Sequence, residues 1–294
     1  MPKIIRHSKN TLSAIEMNLD ESLEFIRTNG SITTIKILSY HADVTSTTLK
    51  EILIPEKGGR TQYKFWVHFQ IDGEQLMVER EVSTQKSFYE PISINGLWLW
   101  LDAVDKIFTF LKENHGDCKP KKNVRFGLIE NHFGRICPET LAPWCDLPKN
   151  GLKIEDCFRG EDCWLGAYDG VEAHGGLDIN HPAGSNLYAP IDIENHYYFN
   201  SLVMGHNNNR WRAHHRFKNG SEWIIQSHHL ITLLIPEHQP ITKGTLYAKT
   251  AGVYTGKIDH THFVFKIYDY GDIIFLDPWI LFWQMYRDLP NVKV

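Results

Sequence analysis

No stretch of this sequence approaches the ~20 apolar residues needed to span a bilayer. The opening residues, Met1 to Lys9, carry basic side chains but no apolar core behind them, so no secretory leader is expected. No Cys-x-x-Cys occurs, which argues against a thiolate zinc ribbon. Charge of one sign is also scarce. The 294 residues hold 31 Lys and Arg against 35 Asp and Glu, a formal net charge of −4, so electrostatics give no reason to expect nucleic acid or an anionic membrane as partner. Low-complexity repeats are missing, and a hydrophobic share of 42% excludes wholesale disorder. Histidine is what the chain has in excess, at 16 residues. It also has five cysteines. Cys137, Cys145, Cys157 and Cys163 crowd one loop-rich stretch, with Cys118 upstream. Four clustered cysteines fit either two disulfides in an oxidising compartment or a set of thiols.

The patterning divides the chain into residues 1–130, a connecting segment 131–165 rich in Cys and Pro, and residues 166–294. In the first part, Asp20 to Gly30 has acids at its start and glycine at its end, which predicts a short helix. Phe65, Val67 and Phe69 alternate with polar neighbours ahead of Asp72-Gly73, and Leu76 and Val78 follow, which predicts a hairpin over Tyr63 to Val82. Leu97, Leu101, Val104, Phe108 and Leu111 recur at helical spacing and predict an amphipathic helix ending near Asn114-His-Gly116, packed on the hairpin sheet. The first part is thus expected to be α+β. After Gly170, runs at 186–191, 196–203, 210–217, 221–226 and 262–268 read as strands separated by Gly, Asn and Pro, with almost nothing helical. The fold expected is mainly β, with a C-terminal antiparallel sheet or sandwich.

Three histidine elements stand in that C-terminal part. In His174-Gly-Gly-Leu-Asp178 the two glycines disfavour a helix, so an even spacing on a strand or strand-like turn projects both side chains to one side. His68-Phe-Gln-Ile-Asp72 has the same spacing, but its Asp is explained by the hairpin turn. In His260-Thr-His262-Phe-Val-Phe-Lys-Ile267, Phe263, Phe265 and Ile267 form the core side, which leaves His260 and His262 together on the other face. The bland reading is two surface histidines on a half-exposed strand. Gln226-Ser-His228-His229-Leu230 follows the apolar run Trp223 to Ile225, where one histidine would ordinarily be a strand-end residue. Each piece alone is weak; their order is informative.

As an ordered set these residues resemble the lysostaphin-type (LytM-like) zinc metallopeptidases, the glycyl-glycine and peptidoglycan endopeptidases. That family carries His-x-Gly-x-Asp, then a Tyr-x-His-Leu-like element, then His-x-His-Phe on a strand. Here the places are filled by His174 to Asp178, by His228-His229-Leu230 and by His260 to Phe263. Leu187-Tyr-Ala-Pro190, Ile241-Thr-Lys-Gly244 and Asp277-Pro278 are similar to its flanking segments, so the likeness covers roughly residues 165–283. Two departures bear on substrate choice. Ile258-Asp259 and Thr261 stand where the family has Gly-Pro and Leu, and Gly205 to Asn209 forms a polar excursion expected to lie over or beside the cleft.

The resemblance implies one zinc ion per chain held by His174, Asp178 and His262, with His229 and His260 as a catalytic pair. Three protein ligands leave a coordination position for water, as in catalytic zinc sites. No His-Glu-x-x-His is present to supply a glutamate base, so proton transfer and oxyanion stabilisation fall to the histidines. It further implies a peptide substrate in bacterial cell-wall peptidoglycan and an extracellular or periplasmic setting. Two rivals remain. A non-catalytic regulator or wall-binding module on the same fold would usually lack metal ligands, and a metal store or sensor would not hydrolyse. Residues 1–130 resemble no named family, and the sequence leaves the oligomeric state open.

Overall fold

A computed structural model describes residues 2–47, 61–115, 118–158, 163–168, 172–200, 208–251 and 260–289. The chain divides into two units, Met1–Pro138 with Leu165–Gly175 and Glu139–Trp164 with Gly176–Val294. No helix of the described residues is long and apolar enough to cross a membrane.

In the first unit, one sheet runs in the order β1 (Lys3–His7), β3 (Ser22–Ile26), β4 (Ile32–Thr47), β5 (Thr61–Ile71) and β6 (Glu74–Val82). The pair β1–β3 is parallel and the remaining pairs are antiparallel. The β5–β6 hairpin turns at Asp72 and Gly73, with φ of 52° and 90°, the positive values that a tight two-residue turn demands. The Asp72 carboxylate accepts the Thr34 N–H at 2.7 Å, so this aspartate serves the turn. A second sheet is ordered β2 (Ser13–Met17), β10 (Val124–Glu130), β8 (Leu97–Val104) and β7 (Ile92–Ile94). Its Phe126 meets Phe69 edge-on, with ring centroids 5.5 Å apart. A small third sheet holds β11 (Ala167–Tyr168), β12 (Glu172–His174) and β9 (Glu113–His115).

Two helices expected in this unit are strands. Over Asp20 to Gly30, Leu23 and Phe25 are fully buried on β3, and this period of two outweighs the acids and glycine at the ends. The stripe from Leu97 to Leu111 is split between β8 and a 3₁₀ turn at Asp105–Thr109. Leu97, Leu99 and Leu101 are buried on one face and Trp100 on the other, so the segment is apolar on both sides and its helical spacing is coincidental.

The second unit is built on one antiparallel sheet in the order β13 (Leu177–Asn180), β19 (His260–Asp269), β17 (Glu222–Leu233), β16 (Asn209–Arg216) and β15 (Asn195–Phe199). At its margins β20 (Asp272–Leu276) pairs with β19, and β18 (Leu246–Thr250) pairs with β17 and with β14 (Asn186–Tyr188). The expected C-terminal runs are thus strands, with β17 continuing to Leu233. Phe263, Phe265 and Ile267 face the core as expected. Trp144 packs 4.7 Å from Phe263 and donates its indole N–H to the Tyr247 hydroxyl at 2.8 Å. A helix not foreseen, α1 (Trp279–Asp288), closes this core with Phe282 5.1 Å from Phe263. Every residue from Trp279 to Tyr286 is buried, so no polar stripe marks the helix in the sequence.

The cysteine-rich stretch belongs largely to this second unit. Cys145 bridges to Leu187 and Cys157 to Ile179 through backbone pairing. The disulfide alternative is not realised: all five cysteines are buried thiols, none joined to another. Burial alone accounts for their place in the stretch, because an un-ionised thiol packs as a small apolar group; desolvation pushes the Cys145 thiol far up.

Candidate metal centre

Strand register places the site. Antiparallel pairing sets Asp178 of β13 directly opposite His262 of β19, and His262 directly opposite His228 of β17. Residues paired in this way share a face, so three polar side chains form a row on the side of β19 away from Phe263. His260, two residues along the strand, lies on that same side. His174 ends β12, where its backbone N–H donates to Gly166 O and its carbonyl accepts from Leu165, both at 3.0 Å.

His174, Asp178 and His262 each offer a ligand atom, and these atoms lie within 4.8 Å of one another. All three residues are buried, at 1, 2 and 5% exposure, and His260 is at 3%. Those values exclude the surface-histidine reading. The Asp178 carboxylate accepts from His262 Nδ1 at 2.8 Å, and its other oxygen lies 3.5 Å from His260 Nε2. A buried carboxylate is costly unless it is paired or holds a metal. Two imidazoles and one carboxylate with no competing lysine in the set are donors that suit zinc.

Gly176 makes room for this arrangement. A Cβ there would lie 2.6 Å from Phe263 O and would overlap the imidazole of His262. The backbone carbonyl cannot retreat without breaking β19, so Gly176→Ala should displace His262. Overpacking of this kind costs typically ~1–3 kcal/mol. Calorimetry should show a lower Tm and zinc titration a weaker affinity; no change in either would mean that the turn relaxes without moving His262.

The position of His229 depends on a bulge. Arg210 pairs with His228 and Asn209 with Leu230, which leaves His229 as the extra residue on β17. Its φ is +66°, a left-handed conformation unusual for a non-glycine residue. The Ala251 N–H donates to its carbonyl at 2.7 Å, and the Asn209 amide donates to Leu230 O at 3.2 Å. In a regular strand His228 and His229 would point to opposite faces. The bulge instead brings the His229 ring edge-on to His260, at 4.6 Å between centroids, while the His228 ring lies 4.5 Å from that of His262.

The structure thus brings together all five residues singled out in the sequence, and adds two. His228 was part of a motif but had no place in the site; its register opposite His262 gives it one. Phe158 is buried with its ring 4.3 Å from His260, and nothing in the sequence ties it to a histidine a hundred residues away. Its segment is held to β13 by Asn180, whose amide donates to Cys157 O at 2.9 Å. His181, on the core side, contacts the Thr261 hydroxyl at 3.2 Å, and burial lowers its pKa to about 4, so it stays neutral and structural. Of the polar excursion only Asn208 and Asn209 fall within the described residues, as does Thr261 of the departures before His262; Ile258 and Asp259 lie outside.

No protein-family model and no curated sequence matches the chain. Among solved structures, the antimicrobial peptidase lysostaphin from Staphylococcus simulans is similar over 42% of this chain and 48% of its own, with 14% identity and a TM-score of 0.33. The chain therefore matches about half of lysostaphin's length. A zinc-containing peptidase from Vibrio cholerae is similar over 95% of this chain and 79% of its own, with 12% identity and a TM-score of 0.28.

Proposed function

We propose that the protein is a zinc-dependent metalloendopeptidase that hydrolyses peptide bonds, with bacterial cell-wall peptidoglycan as the substrate. The observation that carries this reading is a complete, buried ligand set of His174, Asp178 and His262, with a further pair of imidazoles, His229 and His260, within 4.6 Å of each other beside it. A regulator on the same scaffold has no use for either group, and a metal store has no use for the pair. The motif likeness to lysostaphin-type enzymes supports the peptide and wall assignment.

A zinc ion held by His174, Asp178 and His262 would supply Lewis acidity and lower the pKa of a bound water toward ~7. The remaining work falls to the chain. Asp178 orients His262 by accepting a hydrogen bond from its Nδ1, and its other oxygen stands 3.5 Å from His260 Nε2. One of His229 and His260 accepts the proton of the attacking water, and the other donates to the developing oxyanion. Phe158 against His260 keeps bulk water from that ring and limits its rotation.

Elemental analysis of the purified protein, beside a turbidity assay on purified cell walls, tests the reading. One zinc per chain and clearing that a chelator stops and zinc restores are expected. A protein that takes up no stoichiometric zinc, or a zinc-loaded protein that cleaves no peptide, overturns it.

A further inference from the structure

The row of paired residues that crosses the metal centre continues one strand further. Asp178, His262 and His228 are followed on β16 by Arg210, paired with His228, and the next row on the same face holds Val264, Gln226 and Arg212. A groove of about 300 Å³ lies there, lined by Phe199, Asn200, Asn208, Arg210, Arg212 and Gln226. Its polar side chains are two guanidiniums and three amides, so the charge they bring is positive. The Arg212 Nε and the Gln226 Nε2 are buried and have no hydrogen-bond partner among the described residues, although Gln226 as a whole is only 6% exposed. The Arg212 guanidinium lies over the Phe199 ring at 5.4 Å, which holds its plane. Arg210 is exposed. Among the described residues no carboxylate lines the groove, and the acid on β17, Glu222, is already engaged by His214 at 2.6 Å and Arg216 at 3.1 Å.

Buried donors without acceptors are destabilising, more so when charged, and a ligand that satisfies them recovers that cost. Arg210 and Arg212 stand two residues apart on one face of β16, with Gln226 paired beside Arg212, and guanidinium and amide N–H groups are the donors that a carboxylate accepts from. From this geometry we infer that the groove is a subsite for a carboxylate of the bound substrate. Its role as a substrate subsite rests on the peptidase reading; its chemistry as an anion site does not. Neighbouring strands are ~4.8 Å apart, so the Arg210 backbone is about 10 Å from that of His262. An extended peptide advances ~3.3–3.6 Å per residue, which puts the recognised carboxylate roughly two or three residues from the bond cleaved at the metal. That group is either the free C-terminus of the peptide or an acidic side chain within it. Selection of a peptide by a carboxylate at that distance from the cleaved bond is therefore built into the register of the sheet.

Binding alone, read on the protein as purified, separates this inference from the hydrolytic one. The arginine Nε–H resonances are followed by NMR during titration with N-acetylglycine, N-acetylglycinamide and the α-amide of N-acetylglutamate. A saturable shift of the Arg212 Nε–H with at least one of the two acids, and none with the amide, is expected; which acid binds more tightly identifies the source of the carboxylate. Arg210→Gln, at an exposed position, should weaken that binding by about tenfold or more while leaving the fold unchanged by circular dichroism, and Arg212→Gln should do the same. Equal response to acid and amide, no saturable response to either acid, or unchanged affinity in both variants overturns the subsite. Saturable binding of an acid by a protein that hydrolyses no peptide would leave the anion site standing and remove the peptidase reading alone.

Discussion

Asp178→Ala should leave a folded protein with almost no bound zinc and no measurable hydrolysis, and His174→Ala and His262→Ala should match it. The three ligand atoms lie within 4.8 Å of one another, and no other cluster of this kind stands among the described residues. A site with two donors left has lost both its affinity and the fixed open position that activates water. The Asp178 change removes a second function as well, because His262 Nδ1 loses the acceptor 2.8 Å away that orients it. Elemental analysis of dialysed protein, with circular dichroism for the fold, provides the measurement. Full zinc occupancy in Asp178→Ala would sink the ligand assignment.

His260→Ala and His229→Ala should behave differently. Both should keep near-stoichiometric zinc and a native fold, yet hydrolyse more slowly by ~10²–10⁴, the usual cost of removing a general acid–base or oxyanion group. The rings stand 4.6 Å apart, close enough to act on one substrate carbonyl from adjacent directions. If the double variant loses little more than either single one, the two act as a unit. A zinc-free His260→Ala protein would mean that His260 and His262 have exchanged roles. Unchanged hydrolysis in both would return them to the standing of bystanders.

Much of this site is legible in the sequence, and the reasons are physical. The core side of His260 to Ile267 follows from the period of two, and the two glycines after His174 disfavour a helix. Gly176 proves necessary for a second reason, the close approach of His262, that no propensity encodes. The hairpin at Asp72-Gly73 is equally readable because turn chemistry is local. Failures occur where burial is two-sided. Leu97 to Val104 and Trp279 to Tyr286 are covered all round, so one apolar pattern serves for a strand in the first case and a helix in the second. The disulfide alternative fails for a similar reason, since a buried thiol and a cystine leave the same cysteine spacing. Arg210, Arg212 and Gln226 are invisible as a group because only sheet register sets β16 beside β17, and Phe158 is invisible because it reaches His260 from outside the sheet.

The bulge at His229 sets stability against reactivity at one residue. Its left-handed backbone, with φ of +66°, suits glycine, and a side chain there costs of order 1 kcal/mol or more. Without the bulge β17 would pair smoothly, and the imidazole would point into the opposite face of the sheet. The fold therefore accepts local strain to keep the His229 ring beside that of His260. Thermodynamic gain and catalytic competence pull in opposite directions at this residue: a version of the chain optimised for stability alone would relax it first, and would become a quieter and more durable protein of the same shape.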